Sequence, residues 1–282
     1  MILLLPEAKH VVEKQGRTQV FRAMRFPDNA AGNEALALAR LRFWNRKDIT
    51  LDTAANSNAL SVRIVPELPK KQVDDPALYA KQGYCLDISQ AELTIYYAHR
   101  AGLIHALTSV KQLLSKCDGG YTLPLCEITD YPSLETRAIA QTFSWYAGYG
   151  RLGFDSQLWG YEEWVEYLNI CLDNKINQFN LVMYGYWPFD MPGYPETSLR
   201  DVPMKIWNAE NRRWLTVRYT HPNLEEPFLD KFIALAHQLE VKIFAYVGLN
   251  SYNGAYSIKH PEARMKPPAR QGFLNDFDSL CL

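Results

Sequence analysis

"YEEWVEYLNICLDNKINQFNLVMYG", residues Tyr161 to Gly185, changes its period halfway along. The first part reads as an amphipathic helix whose first turn carries Glu162 and Glu163, where the helix dipole favours negative charge. The second part, "QFNLVMYG", is a nearly continuous apolar strand. The same alternation extends in both directions. Upstream, "RAIAQTFSW" (Arg137–Trp145) reads as a strand; downstream, "LEEPFLDKFIALAHQLE" (Leu224–Glu240) reads as a second helix and "VKIFAYVGL" (Val241–Leu249) as a third strand. Strands apolar on both faces, each followed by a helix, indicate a parallel sheet covered by helices. The predicted class is α/β. A closed (β/α)8 barrel is its most economical form, of which three strands are only the first part. A doubly wound open sheet also fits the order, but no GxGxxG follows any of the strands, which lowers a nucleotide-binding version of it.

The residues before this block are organised differently. "HVVEKQ" (His10–Gln15), "FRAMRFP" (Phe21–Pro27) and "ALSVRIVPE" (Ala59–Glu67) read as strands. "NEALALARLRFWN" has apolar residues at helical spacing behind Asn33 as the predicted cap. "PELPKKQVDDPALYAKQG" (Pro66–Gly83), polar and bearing prolines, reads as a loop. "YCLDIS" and "ELTIYYAH" predict a hairpin. "AGLIHALTSVKQLLSKCDGG" predicts a helix on Leu103, Leu107, Val110 and Leu114, stopped by Gly119 and Gly120. His105 within it reads as a locally satisfied histidine, since no second ligand has metal spacing to it. The expected organisation is a small α+β domain over residues 1–130, then an α/β domain over residues 131–282.

Composition narrows the function classes. The formal net charge of the 282 residues is -1, which provides no field for phosphate backbones or anionic lipid. Nucleic acid and membrane are thereby poor default partners. The five cysteines are scattered without a CxxC, which argues against a disulfide framework and a zinc site. No metal or organic cofactor is expected. "MILLLPEAKH" has neither a basic start nor an apolar run of signal-peptide length, so a cytoplasmic location is the expectation.

Function in parallel α/β folds collects in the loops after the strands. Here those loops are "SWYAGYGRLGFDSQLWG", "MYGYWPFDMPGYPETSLRD" and "GLNSYNGAYSIKHPEARMKPP", each longer than the ~2–6 residues usual for such connections. All three are dense in Tyr, Trp, Asn and Gly, within a chain of 17 Tyr and 7 Trp. Sugar rings present a C–H face that stacks on Trp or Tyr, and their hydroxyls need polar side chains. The expected ligand is therefore a carbohydrate. Trp145, Tyr146, Tyr184, Trp187 and Tyr252 are the candidate platforms; Asp190, Glu196, Asn250, Asn253 and Arg137 are the candidate hydroxyl partners. Arg137 opens an apolar strand, where a charged side chain requires a partner: either a ligand, or a carboxylate such as Glu135 or Asp130.

"LLPEAKHV" (Leu4–Val11), "YCLDISQAELTIYYAHRAGLIHALTSVKQLL" (Tyr84–Leu114) and "LPLCEITDYPSLETRAI" (Leu123–Ile139) together resemble the family-20 glycoside hydrolases, the β-N-acetylhexosaminidases. The resemblance implies an accessory domain followed by a catalytic (β/α)8 barrel, with an I-x-D-x-P segment and an Arg opening the first barrel strand. Ile128, Asp130, Pro132 and Arg137 match that pattern, and the family's Arg binds hydroxyls of the terminal sugar. The chain departs from the family in having Ala138 where Gly is usual, and "GLNSYNG" in place of a "PGH"-like stretch. The implied activity is hydrolysis of a terminal sugar by a carboxylate pair at the end of a fourth barrel strand, expected past residue 282. Asp276 and Asp278 read as a solvated loop and not as that pair. Two other readings stay open: a non-catalytic carbohydrate-binding protein, and a uronic-acid-specific glycosidase in which Arg151 supports Arg137. Oligomeric state is left open.

Overall fold

A computed structural model describes residues 2–54, 58–142, 159–183, 187–190, 192–247 and 259. The chain packs as two compact units, Met1–Arg137 with Leu168–Asn177, and Ala138–Tyr167 with Gln178–Leu282.

In chain order the first unit forms β1 (His10–Arg17), β2 (Ala23–Arg25), α1 (Ala30–Arg42), β3 (Thr50–Asp52), β4 (Ala59–Val65), α2 (Pro76–Gln82), β5 (Tyr84–Ile88), β6 (Glu92–Tyr97), α3 (Arg100–Leu113), β7 (Ser115–Cys117), β8 (Gly120–Thr122) and β9 (Pro124–Asp130). Seven strands make one mixed sheet in the order β1-β9-β5-β6-β4-β2-β3. β1, β9, β5 and β6 pair antiparallel in that order; β6, β4, β2 and β3 pair in parallel. The predicted hairpin is β5 and β6, with Leu86 opposite Ile95. α3 carries the core stripe: Leu103, Leu107 and Val110 are fully buried, and Tyr84 of β5 shares a 2.6 Å hydrogen bond with Ser109 of the helix.

Three expectations are corrected here. α1 begins at Ala30 and its cap is Asn29, whose side chain accepts from the Gly32 N–H; Asn33 lies within the helix. The stretch read as one loop, residues 66–83, ends in α2. Asp75 caps the Leu78 N–H at 2.9 Å, Pro76 needs no donor in the first turn, and Leu78 and Tyr79 are buried. α3 stops at Leu113, before the glycines, because Ser115–Cys117 leaves the helix to pair with β8; Gly119 (φ 89°) lies in that hairpin's turn and Gly120 (φ 152°) opens β8.

α3 also approaches the end of α2 closely. A Cβ on Gly102 would stand 2.2 Å from the Gly83 carbonyl oxygen. Gly102→Ala is therefore expected to cost about 1–3 kcal/mol, since backbone cannot yield as a side chain tip can. A thermal melt checks this, and an unchanged midpoint would mean the helix can shift freely.

The second unit holds β10 (Ala138–Thr142), the first residues of α4 (Tyr161–Asp173), β11 (Gln178–Met183), β12 (Val202–Asn208), β13 (Arg213–Tyr219), α5 (Leu229–Gln238) and β14 (Lys242–Val247). β10, β11 and β14 form a three-stranded parallel sheet in that order. Phe179 and Leu181 are buried on the helix side, where Trp164 of α4 and Phe232 of α5 pack edge-on to Phe179 at 6.4 and 6.2 Å. On the alternate positions Ala138 and Ala140 are exposed, Asn180 is half-buried and Phe244 is 50% exposed. Among the described residues only one sheet face is covered, where strands apolar on both faces were read. α5 starts at Leu229, later than its periodic stretch, because Pro222–Leu224 forms a 3-10 turn and Pro227 follows it.

The connection after β11 differs most from expectation. Within it β12 and β13 make an antiparallel hairpin pairing Val202 with Tyr219 and Asn208 with Arg213. The alternation of "VPMKIWN" and "RWLTVRY" was the signal that could have found it.

Candidate functional site

Arg137 stands just before β10, and its backbone is fixed on both sides. Its N–H donates to Asn177 Oδ1 at 2.8 Å, and its carbonyl accepts from the Asn177 N–H at 3.0 Å. The guanidinium then meets five protein acceptors. Nε donates to the Lys175 carbonyl (2.7 Å), Nη1 to those of Leu134 (2.7 Å) and Glu135 (3.4 Å), and Nη2 to Gln82 Oε1 (3.0 Å) and His105 Nε2 (3.3 Å). Five donors meeting five acceptors saturate the fork. Neither candidate carboxylate pairs with it. Glu135 offers its carbonyl and turns its side chain to Lys81, and Asp130 is taken by Lys175 Nζ at 2.7 Å and Tyr84 OH at 3.0 Å.

His105 completes this arrangement and is satisfied, as its place in α3 suggested. Nδ1 lies 3.1 Å from the Gln82 carbonyl, so Nδ1 carries the proton and Nε2 is left to accept from Arg137. Burial, followed by the charges of Arg137 and Lys175, pushes its pKa down to about 3. The unfolded ring titrates near 6.5, so below that pH the unfolded chain takes up a proton the folded one refuses. The neutral ring's contribution is complete above about 6.5 and is lost as the pH falls toward 3. The expected result is a loss of about 1.4 kcal/mol of stability per pH unit between roughly 6 and 4 from this group alone. Urea midpoints across that range, for the wild type and for His105→Gln, check it; equal slopes would exclude the histidine as the cause.

These groups border a cleft of about 490 Å³ lined by Lys9, His105, Asp130, Tyr131, Arg137 and Lys175 among others. Lys175 and Asp130, both 8% exposed along their side chains, pair with each other at its wall.

Trp187 and Asp190 lie in the connection after β11. Trp187 is 4% exposed, is fixed by backbone hydrogen bonds to Thr197 and Leu199 (both 2.8 Å), and stacks on Phe189 at 5.4 Å with 21° between the rings. Its indole Nε1 is buried without a hydrogen-bond partner among the described residues. The Asp190 carboxylate accepts from Arg200 Nη2 (2.8 Å) and Ser198 Oγ (2.9 Å), and Arg200 above all holds it below the usual carboxylate range. Glu196 borders a second cleft of about 410 Å³, together with Arg200, Asp201, Pro203, Arg218 and Lys259. Arg200, Arg218 and Lys259 were not among the expected site residues; their charge becomes visible as a cluster only once β12 and β13 pair. Trp145, Tyr146, Tyr184, Asn250, Tyr252 and Asn253 lie outside the described residues, as do Arg151, Asp276 and Asp278.

Among the described residues no three or more His, Cys, Asp or Glu gather as if to hold a metal ion, and no helix is long and apolar enough to cross a membrane. Cys85, Cys117, Cys126 and Cys171 are free thiols.

Solved structures with the same fold are exo-β-N-acetylglucosaminidase and β-hexosaminidase chains. One is the Vibrio harveyi GH20 exo-β-N-acetylglucosaminidase in complex with N-acetylglucosamine (TM-score 0.62, 17% identity, covering 95% of this chain and 39% of that one). A mutant Streptomyces plicatus β-hexosaminidase in complex with its product GlcNAc gives 0.64, 17%, 96% and 52%. The GH20 β-N-acetylhexosaminidase of Streptomyces coelicolor A3(2) gives 0.65, 16%, 96% and 51%. At these identities the likeness is one of fold, and the chain spans about half or less of the chains it matches. Residues 4–131 match the family described as glycosyl hydrolase family 20, domain 2. The segment that forms the seven-stranded sheet is therefore similar to domain 2 of glycosyl hydrolase family 20.

Proposed function

We propose that the protein hydrolyses terminal sugars of the N-acetylhexosamine type from glycans, with residues 131–282 forming the first part of a (β/α)8 catalytic barrel. The observation that carries this reading is the match of residues 4–131 to family-20 domain 2, followed by three parallel strands in the order β10, β11, β14 with α4 and α5 between them. The sugar would be held at the C-terminal ends of those strands, by Trp145, Tyr146, Tyr184, Asp190, Asn250, Tyr252 and Asn253; Trp187, 4% exposed and stacked on Phe189, would have to be uncovered before it could join them. Arg137 is proposed as a further sugar contact. Its five donors are engaged, so it would have to release at least one acceptor to bind a hydroxyl. Catalysis would use carboxylates, with an oxocarbenium-like transition state and an acid of raised pKa.

The test is turnover of p-nitrophenyl N-acetyl-β-glucosaminide against p-nitrophenyl β-glucuronide by the protein as its gene encodes it. Hydrolysis of the first is expected. Hydrolysis of the glucuronide alone would replace this reading with a uronidase, and turnover of neither, with GlcNAc still bound in calorimetry, would replace it with a non-catalytic binding protein.

A further inference from the structure

The β12–β13 hairpin has an unusual outer face. Strand residues alternate between faces, so Pro203, Lys205 and Trp207 share one side of β12 and their partners Arg218, Thr216 and Trp214 share the same side of β13. The opposite side turns Val202 and Tyr219 toward a small core with Leu199 and Leu224. The outward side of a half-buried hairpin is ordinarily polar. Here it carries Trp207 and Trp214, 52% and 63% exposed, with ring centroids 5.5 Å apart and 64° between the rings.

This face continues into the cleft of about 410 Å³ at the hairpin's base, which Pro203 and Arg218 both line. From residue 207 back to residue 203 the strand rises about 13 Å, the reach of a few sugar units laid along it. The charge of this track is asymmetric. Arg218 is bound by Asp201 and Arg200 by Asp190, and Lys259 shares the cleft with Glu196, which leaves Lys205 on the face as the excess cation; neither lysine forms an ion pair among the described residues.

We propose that this face binds the chain of an acidic oligosaccharide, its sugar faces on Trp207 and Trp214 and its uronate carboxylates against Lys205 and Lys259. The proposal rests on the carbohydrate reading above and narrows it to substrates whose inner units carry carboxylates. The outward tryptophans also have a structural alternative, since a cross-strand aromatic pair steadies a hairpin by itself. Lys205 has no such alternative and supplies the discriminating variant.

The experiment is calorimetric titration of the intact protein with hyaluronan hexasaccharide and with chitohexaose, a neutral chain of equal length. The acidic chain is expected to bind about tenfold tighter at low salt, an advantage that added sodium chloride removes. Lys205→Glu should weaken the acidic chain about tenfold and leave chitohexaose unchanged, and Trp214→Ala should weaken both. Far-UV circular dichroism and the melting temperature verify that each variant is folded; if Trp214→Ala is not, Trp214→Tyr and Lys205→Glu decide the matter. Equal binding of the two chains, binding of neither, or wild-type affinity in Lys205→Glu would overturn the proposal. Turnover of N-acetyl-β-glucosaminide persisting in any of these cases would leave the hexosaminidase reading intact, so the two can fail separately.

Discussion

Asp173→Ala is expected to destabilise the first unit by about 3–5 kcal/mol. Arg42 is fully buried and Lys111 is 5% exposed, and both turn to this one carboxylate: Arg42 Nη2 to Oδ1, and Lys111 Nζ to Oδ2 at 2.7 Å. Burial lowers the pKa of each cation, and Asp173 offsets part of that lowering. Without the carboxylate a fully buried guanidinium and a nearly buried ammonium lose their counter-charge, and water reaches them only from the Asp173 side, which is 30% exposed. Lys111 can relieve this by losing its proton; a guanidinium cannot. Arg42 retains only neutral acceptors, Asn169 Oδ1 at 2.6 Å and the Thr108 hydroxyl. Urea midpoints read the loss. The double variant Arg42→Met with Asp173→Leu should recover much of it, because the cost lies in the unpaired charge and not in the absence of the pair. A single variant within about 1 kcal/mol of the wild type would show that the site hydrates readily.

Trp164→Ala is expected to cost a similar about 3–5 kcal/mol in the second unit. Trp164 is 1% exposed and meets Trp159, Tyr167, Phe179 and Phe232 edge-on, at centroid distances from 5.3 to 6.4 Å. Truncation leaves a cavity that four rings, each fixed by the others, cannot close. Near-UV circular dichroism should lose much of its aromatic signal together with the fall in melting temperature. Trp164→Phe, which keeps a ring in the same place, should cost about 1–2 kcal/mol. A Trp164→Ala protein that melts with the wild type would mean that α4 is not held to β11 through this cluster.

Much of the architecture could be read locally because its signals are local. α3 and α4 present apolar residues at helical spacing, and β11 and β14 are short apolar runs bounded by polar residues, so their kinds follow from a few neighbours along the chain. α2 was missed because its seven residues are too few to show a period; its signature is the Asp75 cap and Pro76, and its stability comes from burying Leu78 and Tyr79 against Cys85 and Tyr131. The β12–β13 hairpin was missed because residues 202–219, between the loop ending at Asp201 and the helix read from Leu224, were given no element, although their alternation of period two lies open in the letters.

The candidate site was legible in residue type and not in partnership. Arg137 was singled out correctly as a charge needing a partner, but the partners are Gln82, His105 and Lys175, which stand 55, 32 and 38 residues away in the chain. Sequence proximity suggested Glu135 and Asp130, and the fold gave one to Lys81 and the other to Lys175. Asp190 was read as a candidate hydroxyl partner, and the protein groups its carboxylate also meets, Arg200 and Ser198, became visible only in the structure.

By itself, then, the sequence determined the kinds of the longer elements, the alternation of β10, α4, β11, α5 and β14, and the concentration of aromatic and amide side chains after the parallel strands. These follow from backbone periodicity and side-chain chemistry, which act over a few residues. Only the tertiary structure decided which charges neutralise one another, which tryptophan is buried and which pair faces water, and where the excess cation, Lys205, lies. Those outcomes depend on distances between residues far apart in the chain, and a buried charge takes the acceptor that the fold brings within about 3 Å of it.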